Sequence, residues 1–96
     1  MDREQVLSFL KRMKPGLEKN YPLTKLGVFG SFAKNTYREK SDIDIVVELE
    51  NPKMFDLIGI KQELEEHLKR KVDIVRYRKT MNPYLKQKIE SDAIYV

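Results

Sequence analysis

The 96-residue sequence predicts an α+β (mixed α/β) domain, a small mixed β-sheet with helices packed on it in the order α-β-β-α-β-α. Three observations predict this class. Short apolar runs are bounded by turn residues, as is typical of strands. Longer stretches between them carry apolar residues at helical spacing. The length suits one domain, residues 1–96, with a core of modest size.

The first part of the chain begins with a helix. Residues 2–13 carry Val, Phe, Leu and Met side chains at helical spacing. Pro15 should kink or break this helix because proline cannot donate a backbone hydrogen bond, and about one further turn should follow it. Tyr21-Pro22 then forces an extended connection. Thr24 to Phe29 form the first predicted strand, and Ser31 to Lys34 form a short helical turn.

A loop from Asn35 to Lys40 leads to the second predicted strand, Asp42 to Glu50, which ends at Asn51-Pro52. Successive side chains of a strand point to opposite faces of a sheet. The strand therefore divides into one mixed set and one apolar set. The two sets are Asp42, Asp44, Val46 and Glu48, and Ile43, Ile45, Val47 and Leu49.

The last part of the chain predicts a helix, a strand and a second helix. Met54 to Lys69 form the clearest helical pattern, and the basic residues 69–71 suit a helix C-terminus. Val72 to Val75 form the third strand. Asn82-Pro83 provide an N-cap and a first helical residue, whereas the apolar tail 93–96 stays unassigned. The expected buried positions are Leu57, Lys61, Leu64, Leu68, Phe55, Ile58 and Ile60 on the first helix and Leu85 and Ile89 on the second, with Phe29 as a further core candidate.

Composition excludes several classes of function. The absence of cysteine excludes disulfides, thiolate metal sites and cysteine nucleophiles, and we expect a cytoplasmic protein. No apolar run approaches the roughly 20 residues of a membrane span, and the N-terminus lacks a signal-peptide core. The net charge of +4 is mild, and the aromatic residues form no stacking platform, so nucleic acid is not expected as a direct partner.

Two carboxylates and a glycine turn carry the chemical signal. Asp42 and Asp44 should project from one face of their strand, about 7 Å apart, and should repel each other unless a cation lies between them. Hard oxygen ligands suit Mg²⁺. Gly30-Ser31 ends an apolar strand with bare backbone N–H groups, which suit a phosphate. A metal and a phosphate together indicate phosphoryl or nucleotidyl transfer.

Gly30-Ser31, ten intervening residues and then Asp42-Ile43-Asp44 resemble the signature of the DNA polymerase beta-like nucleotidyltransferases. The whole chain resembles the minimal nucleotidyltransferases (MNT family), proteins of similar length that are often encoded beside a HEPN-domain toxin. The resemblance is carried mainly by residues 23–75. Asn35 stands where many members have glycine, and asparagine tolerates the left-handed backbone conformation better than most residues.

The resemblance implies the polymerase beta-like fold, a nucleoside triphosphate such as ATP as substrate, and Mg²⁺ as cofactor, with two ions expected. It implies transfer of a nucleoside monophosphate to a hydroxyl, with a tyrosine of a HEPN toxin as the expected acceptor, so that this chain acts as the antitoxin. The implied metal-binding and catalytic residues are Asp42, Asp44 and Asp73, and the implied triphosphate-binding residues are Gly30 and Ser31, with Lys34, Arg38 and Lys40 as weaker candidates.

Other interpretations remain open at this stage. A small-molecule nucleotidyltransferase of the antibiotic-modifying kind shares the motif but usually carries an additional helical domain. A non-catalytic antitoxin would mask its toxin by binding alone. His67, the only histidine, is expected on a helix surface rather than in a site. The acceptor, the nucleotide preference and the oligomeric state are not determined by the sequence.

Overall fold

A computed structural model describes all 96 residues and contains one four-stranded sheet, in the order β3-β2-β1-β4. The elements are α1 (Arg3–Asn20), β1 (Leu23–Phe29), α2 (Gly30–Lys34), β2 (Ile43–Leu49), α3 (Asp56–Leu68), β3 (Val72–Arg76), α4 (Pro83–Asp92) and β4 (Ile94–Tyr95). β1 runs antiparallel to β2 and β4, whereas β2 and β3 are parallel because α3 crosses between them. The predicted class, a mixed sheet with helices, is confirmed.

The two faces of the sheet pack against different helices. One face, with α1 and α3, forms a core of 16 buried residues that includes the whole apolar set of β2. The other face is covered in part by α4, where Phe29, Val46 and Ile89 form a small cluster. The predicted division of β2 into an apolar set and a mixed set is therefore correct.

Helix α1 begins with a capping box between Asp2 and Gln5 and runs without interruption through Pro15. The predicted break at Pro15 is wrong. Proline removes one helical hydrogen bond, but Leu10 and Leu17 are fully buried on either side of it. Packing of both halves on the sheet keeps the helix continuous, because tertiary contacts supply most of the stability of a protein helix.

Helix α3 begins at Asp56, whose carboxylate accepts the Lys53 N–H at 2.7 Å. The prediction that Phe55 and Ile58 are buried is wrong, since both are exposed. At 100° per residue, Ile58 lies about 200° around the helix from the buried Ile60, and Phe55 precedes the first turn. The residues that do face the sheet are Ile60, Leu64 and Leu68, with Leu57 and Lys61 half-buried.

The C-terminal segment follows the prediction for α4 and adds a strand. Asn82 accepts the Leu85 N–H at 3.1 Å, and Pro83 is the first helical residue. The unassigned tail forms β4, in which Tyr95 pairs with Gly27. A Cβ on Gly27 would lie 2.7 Å from the carbonyl oxygen of Ile94, so glycine permits the close approach of β4. None of the four helices combines the length and apolar character needed to cross a membrane.

Candidate active site

The turn between β1 and α2 depends on glycine for two reasons. Gly30 has a φ of 70°, in the left-handed region that other residues rarely adopt. A Cβ at this position would also overlap the carboxylate of Asp44 and lie 3.1 Å from its Cγ. The backbone of Gly30 and the side chain of Asp44 are therefore in direct contact, which joins the two halves of the sequence motif in space. Ser31 is half-buried beside them.

Asn35 ends α2 with a φ of 62° and a ψ of 33°, which is the left-handed conformation expected from the sequence. Its N–H donates to the carbonyl oxygens of Phe32 and Ser31, and the Thr36 N–H donates to Ser31 at 2.8 Å. Asparagine thus closes this turn by adopting the left-handed conformation at the end of α2.

The three predicted carboxylates lie on one face of the sheet. Asp44 on β2 pairs laterally with Asp73 on the parallel strand β3, and laterally paired side chains share a face. Asp42 comes two residues before Asp44 and extends the same row. Asp42 and Asp73 are exposed, and Asp44 is half-buried.

The electrostatic environment of Asp44 is unfavourable to its charge. Burial raises the pKa of the Asp44 carboxyl above its usual range, repulsion from Asp73 and Asp42 raises it further, and Lys88 partly lowers it. None of the three carboxylates takes part in an ion pair with a lysine or arginine. The negative charge at the site is therefore incompletely neutralised by the chain itself.

The donor set suits a divalent cation. Three carboxylates that share a face, one of them half-buried and without an ion-pair partner, are hard oxygen ligands whose mutual repulsion a bound cation would relieve. No group of three His, Cys, Asp or Glu side chains is already gathered closely enough to hold a metal ion. Binding would therefore draw the side chains of Asp42 and Asp73 toward Asp44.

Two lysines lie on the α4 side of this face. Lys34, at the end of α2, pairs with Asp92 of α4 at 3.4 Å. Lys34 and Lys88 both line a small pocket of about 220 Å³, together with Tyr84, Gln87, Ser91 and Asp92. Arg38 is exposed, and its guanidinium makes no hydrogen bond or ion pair. Its backbone N–H donates to the Ser41 hydroxyl at 2.8 Å, and its carbonyl oxygen accepts the Ser41 N–H at 2.9 Å.

Arg70 fixes the loop that leads into Asp42. Its Nη2 donates to the carbonyl oxygens of Glu39 at 2.9 Å and Ser41 at 2.5 Å. The same guanidinium lies over the ring of Phe32, 5.2 Å from its centroid, and Tyr37 stacks on that ring at 4.3 Å. The predicted role of Arg70 at a helix C-terminus is incomplete, because its main contacts are with this loop.

Comparison with known families agrees with this geometry. A model described as "Nucleotidyltransferase domain" matches residues 10–96. The chain belongs to the nucleotidyltransferase domain family. It is a nucleotidyltransferase, as the sequence motif indicated.

Two relatives show how far the similarity extends. A protein of Methanocaldococcus jannaschii, provisionally named as a protein adenylyltransferase, is 39% identical over 93 residues, which cover 96% of this chain and 95% of the relative. The protein adenylyltransferase MntA of Thermococcus cleftensis is 29% identical over 94 residues, covering 97% and 94% of the two chains. This nucleotidyltransferase is therefore similar to both relatives along nearly all of its 96 residues.

Two solved structures share the fold. A structure provisionally described as a minimal nucleotidyltransferase has a TM-score of 0.81 and 29% identity, covering 98% of this chain and 95% of that one. The MNT antitoxin complex with a tri-AMPylated HEPN toxin from Shewanella oneidensis gives a TM-score of 0.69 at 22% identity, covering 97% and 70%. The polymerase beta-like fold expected from the sequence is confirmed.

Sequence reasoning missed two residues of this region of the nucleotidyltransferase. Lys88 lies three residues after Leu85, a predicted buried position, so helical spacing could have indicated that Lys88 faces the same way as Leu85. The contacts of Arg70 join residues about 30 positions apart, and no local pattern indicates them. His67 lies on the surface of α3 with its Nδ1 2.9 Å from the Glu63 carbonyl oxygen, as expected.

Proposed function

We propose that this nucleotidyltransferase is a protein adenylyltransferase that transfers AMP from ATP to a tyrosine hydroxyl of a HEPN-type toxin, and so acts as an antitoxin. The observation that carries the proposal is the row of three carboxylates on one face of the sheet, in contact with the Gly30 turn. The names of the relatives support adenylylation of a protein. The structural similarity to an antitoxin bound to an AMPylated HEPN toxin supports the choice of acceptor.

In this proposal Asp42, Asp44 and Asp73 hold Mg²⁺, with two ions expected. The metal supplies positive charge that stabilises the phosphoryl group and the pyrophosphate that leaves. Gly30 lets the triphosphate approach the backbone, and Ser31 donates to a phosphate oxygen from its hydroxyl. The tyrosine oxygen forms a bond to the α-phosphorus while the bond to the β-phosphate oxygen breaks, and Asp73 accepts the proton of the tyrosine hydroxyl.

Positive charge near the turn belongs to the same proposal. Lys88 lies close enough to Asp44 to oppose the rise of its pKa, so it is proposed to face the phosphates. Lys34 would have to leave Asp92 to reach a phosphate, whereas the exposed Arg38 needs only to swing inward. We therefore assign Lys88 the main role and Lys34 and Arg38 supporting ones.

The open form of the site favours a protein acceptor. Two of the three carboxylates are exposed, and the pocket beside α4 measures only about 220 Å³. Enclosed small-molecule sites usually reach about 300 Å³ or more and bury most of the ligand. An acceptor carried on the surface of a folded partner needs no such enclosure, since the partner itself would cover the site.

Mass spectrometry of a purified HEPN-type toxin from the same organism tests the proposal. Incubation with this protein, ATP and Mg²⁺ should add the mass of one or more AMP groups to tyrosine. Omission of Mg²⁺, or replacement of the acceptor tyrosine by phenylalanine, should abolish the gain. Inhibition of the toxin without any gain in mass would overturn the enzymatic proposal in favour of masking, and modification of a small molecule alone would favour an antibiotic-modifying type of activity.

A further inference from the structure

We propose that the surface where α3 begins and β3 ends is a docking site for a segment of a partner protein in which acidic side chains flank apolar ones. We call it the α3–β3 surface, and it consists of Lys53, Met54, Phe55, Ile58, Arg76 and Arg78. The inference rests on the proposed function in one respect, namely that the docked protein is the one to be adenylylated.

The apolar part of the α3–β3 surface consists of three large side chains within five residues. Met54 is 84% exposed, Phe55 is 70% exposed and Ile58 is 52% exposed. Single exposed apolar residues are normal on a soluble protein, but a local cluster at the start of a helix is typical of an interaction site. The segment that contains them follows Pro52, and the Asp56 carboxylate accepts the Lys53 N–H there, so the backbone of the cluster is held in one conformation.

A basic groove adjoins the apolar cluster. It measures about 340 Å³, has an apolar wall, and carries three cations and no carboxylate; its lining residues are Leu49, Pro52, Lys53, Met54, Leu57, Arg76 and Arg78. None of the three cations forms an ion pair, whereas the ion pairs of this chain all lie elsewhere. The groove therefore offers unneutralised positive charge next to exposed apolar surface.

Arg76 has an unused hydrogen-bond donor in this groove. Its Nε is buried and has no partner, and its Nη2 reaches only the Leu49 carbonyl oxygen at 3.5 Å. A buried donor without a partner is costly, and charge-assisted bonds from arginine to a carboxylate are among the strongest in proteins. A small rotation of the guanidinium would present Nε to a carboxylate that entered the groove.

The combination of charges and apolar groups selects the class of partner. Nucleic acid would use the cations, but it would leave Met54 and Ile58 without an apolar counterpart. In a symmetric dimer formed through this surface, the basic groove of one copy would lie near the basic groove of the other, and like charges across an interface are unfavourable. An acidic and apolar protein segment satisfies both parts of the surface at once.

The position of the α3–β3 surface leaves the carboxylates accessible. Arg76 follows Asp73 by three residues on β3, so their side chains point to opposite faces of the sheet and lie about 10 Å apart along the strand. A partner docked at Arg76 would therefore leave Asp73 uncovered. Docking of a partner at the α3–β3 surface would raise the effective concentration of its acceptor group at the carboxylates.

Selection from a library of random 12-residue peptides displayed on phage, with the full-length protein immobilised, tests the inference. The enriched peptides should combine aspartate or glutamate with leucine, isoleucine or phenylalanine. The best peptide is then synthesised and its affinity measured by fluorescence anisotropy. We expect affinity to fall about tenfold or more in M54S/F55S and in R78Q, and to change less than about twofold in the control variants Y84S and K11Q.

The side-chain Nε–H resonance of Arg76 in ¹⁵N-labelled protein gives a second, local measurement. It should shift when the selected peptide binds and should not shift with a peptide in which lysine replaces the acidic residues. Failure of any acidic and apolar peptide to enrich, equal binding to the docking and control variants, or stronger binding of a uridine 12-mer would overturn the inference. Dimerisation that M54S/F55S abolishes would overturn it in favour of a second copy.

The two proposals can fail separately. Binding of ATP with Mg²⁺ should be unchanged in M54S/F55S and R78Q, because these residues belong to the surface around Arg76, whose side chain lies on the face of the sheet opposite Asp73. Peptide docking with no adenylylation of any toxin would overturn the proposed function and leave the docking site standing. Adenylylation that is unaffected by the docking variants, at toxin concentrations well below saturation, would overturn the docking site alone.

Discussion

Along β2, the face that packs on α1 and α3 presents Ile43, Ile45, Val47 and Leu49, all of them buried, whereas the opposite face presents Asp44 and Glu48 with only Val46 between them. The first face lies in a cluster of 16 buried residues. The second contributes to a cluster of three. A single strand thus supplies both the main core and the candidate active site, since its alternation assigns each set of residues to a different neighbour.

The difference between the two faces of β2 shows where this fold can carry mutually repelling catalytic side chains. The large core holds β2 in place, so the opposite face can carry carboxylates whose repulsion disfavours the folded state. Strained or repulsive groups persist where the surrounding structure determines their position. We therefore expect substitutions on the two faces to have opposite effects on stability and on catalysis, and the following predictions test that contrast.

The largest effect should come from the double variant D42N/D44N. The amides keep the shape of the carboxylates but remove two negative charges from the proposed metal site. We expect transfer of AMP to fall by about 1,000-fold or more, because metal-ion stabilisation is worth several kcal/mol of the barrier. Mass spectrometry of the toxin measures the loss, and circular dichroism verifies the fold. Transfer at a rate near that of the native protein would exclude these carboxylates from the metal site.

Two adjacent valines on β2 allow a matched test of the two faces. Val46 and Val47 are both fully buried, and they pack in the small and the large cluster respectively. We expect V47A to lower the free energy of unfolding by about 2–3 kcal/mol, from lost burial and a cavity that cannot collapse. V46A should cost less because α4, with Ile89 as its buried residue, can settle toward the sheet.

Urea denaturation of the two valine variants measures this difference, and AMP transfer supplies the second half of the contrast. V46A should reduce AMP transfer more than V47A does, because Val46 lies between Asp44 and Glu48 on the face of β2 that carries the carboxylates. Equal losses of stability in both variants would mean that α4 holds its face as firmly as α1 and α3 hold theirs.

A smaller effect is expected from R70Q, which removes the hydrogen bonds to the carbonyl oxygens of Glu39 and Ser41. Local opening of residues 36–41 should become easier by about 1–2 kcal/mol, since hydrogen bonds from a charged group are worth more than neutral ones. Amide hydrogen exchange measures this opening, and K71Q, an exposed neighbour, is the control. Unchanged exchange at the Ser41 amide in R70Q would show that the loop is held by other contacts.

How far the sequence predicts this molecule depends on the range of the contacts involved. The alternation along β2, the Gly30 turn and the Asn82 cap are local, and each follows from the conformational preferences of a few residues. The continuity of α1 through Pro15 depends on packing against the sheet, which no local pattern shows. The exposure of Phe55 depends on where α3 begins, and helix ends are the least certain part of a sequence-based prediction.

The candidate site divides in the same way. The sequence placed Gly30 in a phosphate-binding turn and Asp44 in a carboxylate pair, but the contact between them appears only in the structure, and it changes how the turn should be tested. A Gly30→Val substitution would displace the Asp44 carboxylate as well as strain the backbone, so it cannot separate phosphate binding from metal binding. Ser31→Ala leaves that contact intact and is the better test of the phosphate-binding role.

The smallest effect concerns the charge of Asp44 itself. Burial, with repulsion from Asp73 and Asp42, raises the pKa of this carboxyl in the folded protein, so the folded state binds a proton more tightly than the unfolded chain. At neutral pH the ionised carboxylate therefore destabilises the fold. D44N should be more stable than the native protein at pH 7, by less than about 1 kcal/mol because solvent screens a half-exposed group.

The pH dependence of that difference gives the sign of the effect. As the pH falls through the raised pKa of folded Asp44, the native protein gains the proton and the advantage of D44N should shrink. Below the ordinary pKa of 3.8, Asp44 is protonated in both states and the advantage should vanish. Urea midpoints of D44N and the native protein at pH 7 and pH 4 measure this difference in stability.

Adding Mg²⁺ at pH 7 should stabilise the native protein and leave D44N unchanged, because a cation bound to Asp44 removes the repulsion that the variant has already lost. A D44N variant that is less stable than the native protein at pH 7 would mean that attraction to Lys88 outweighs burial and repulsion.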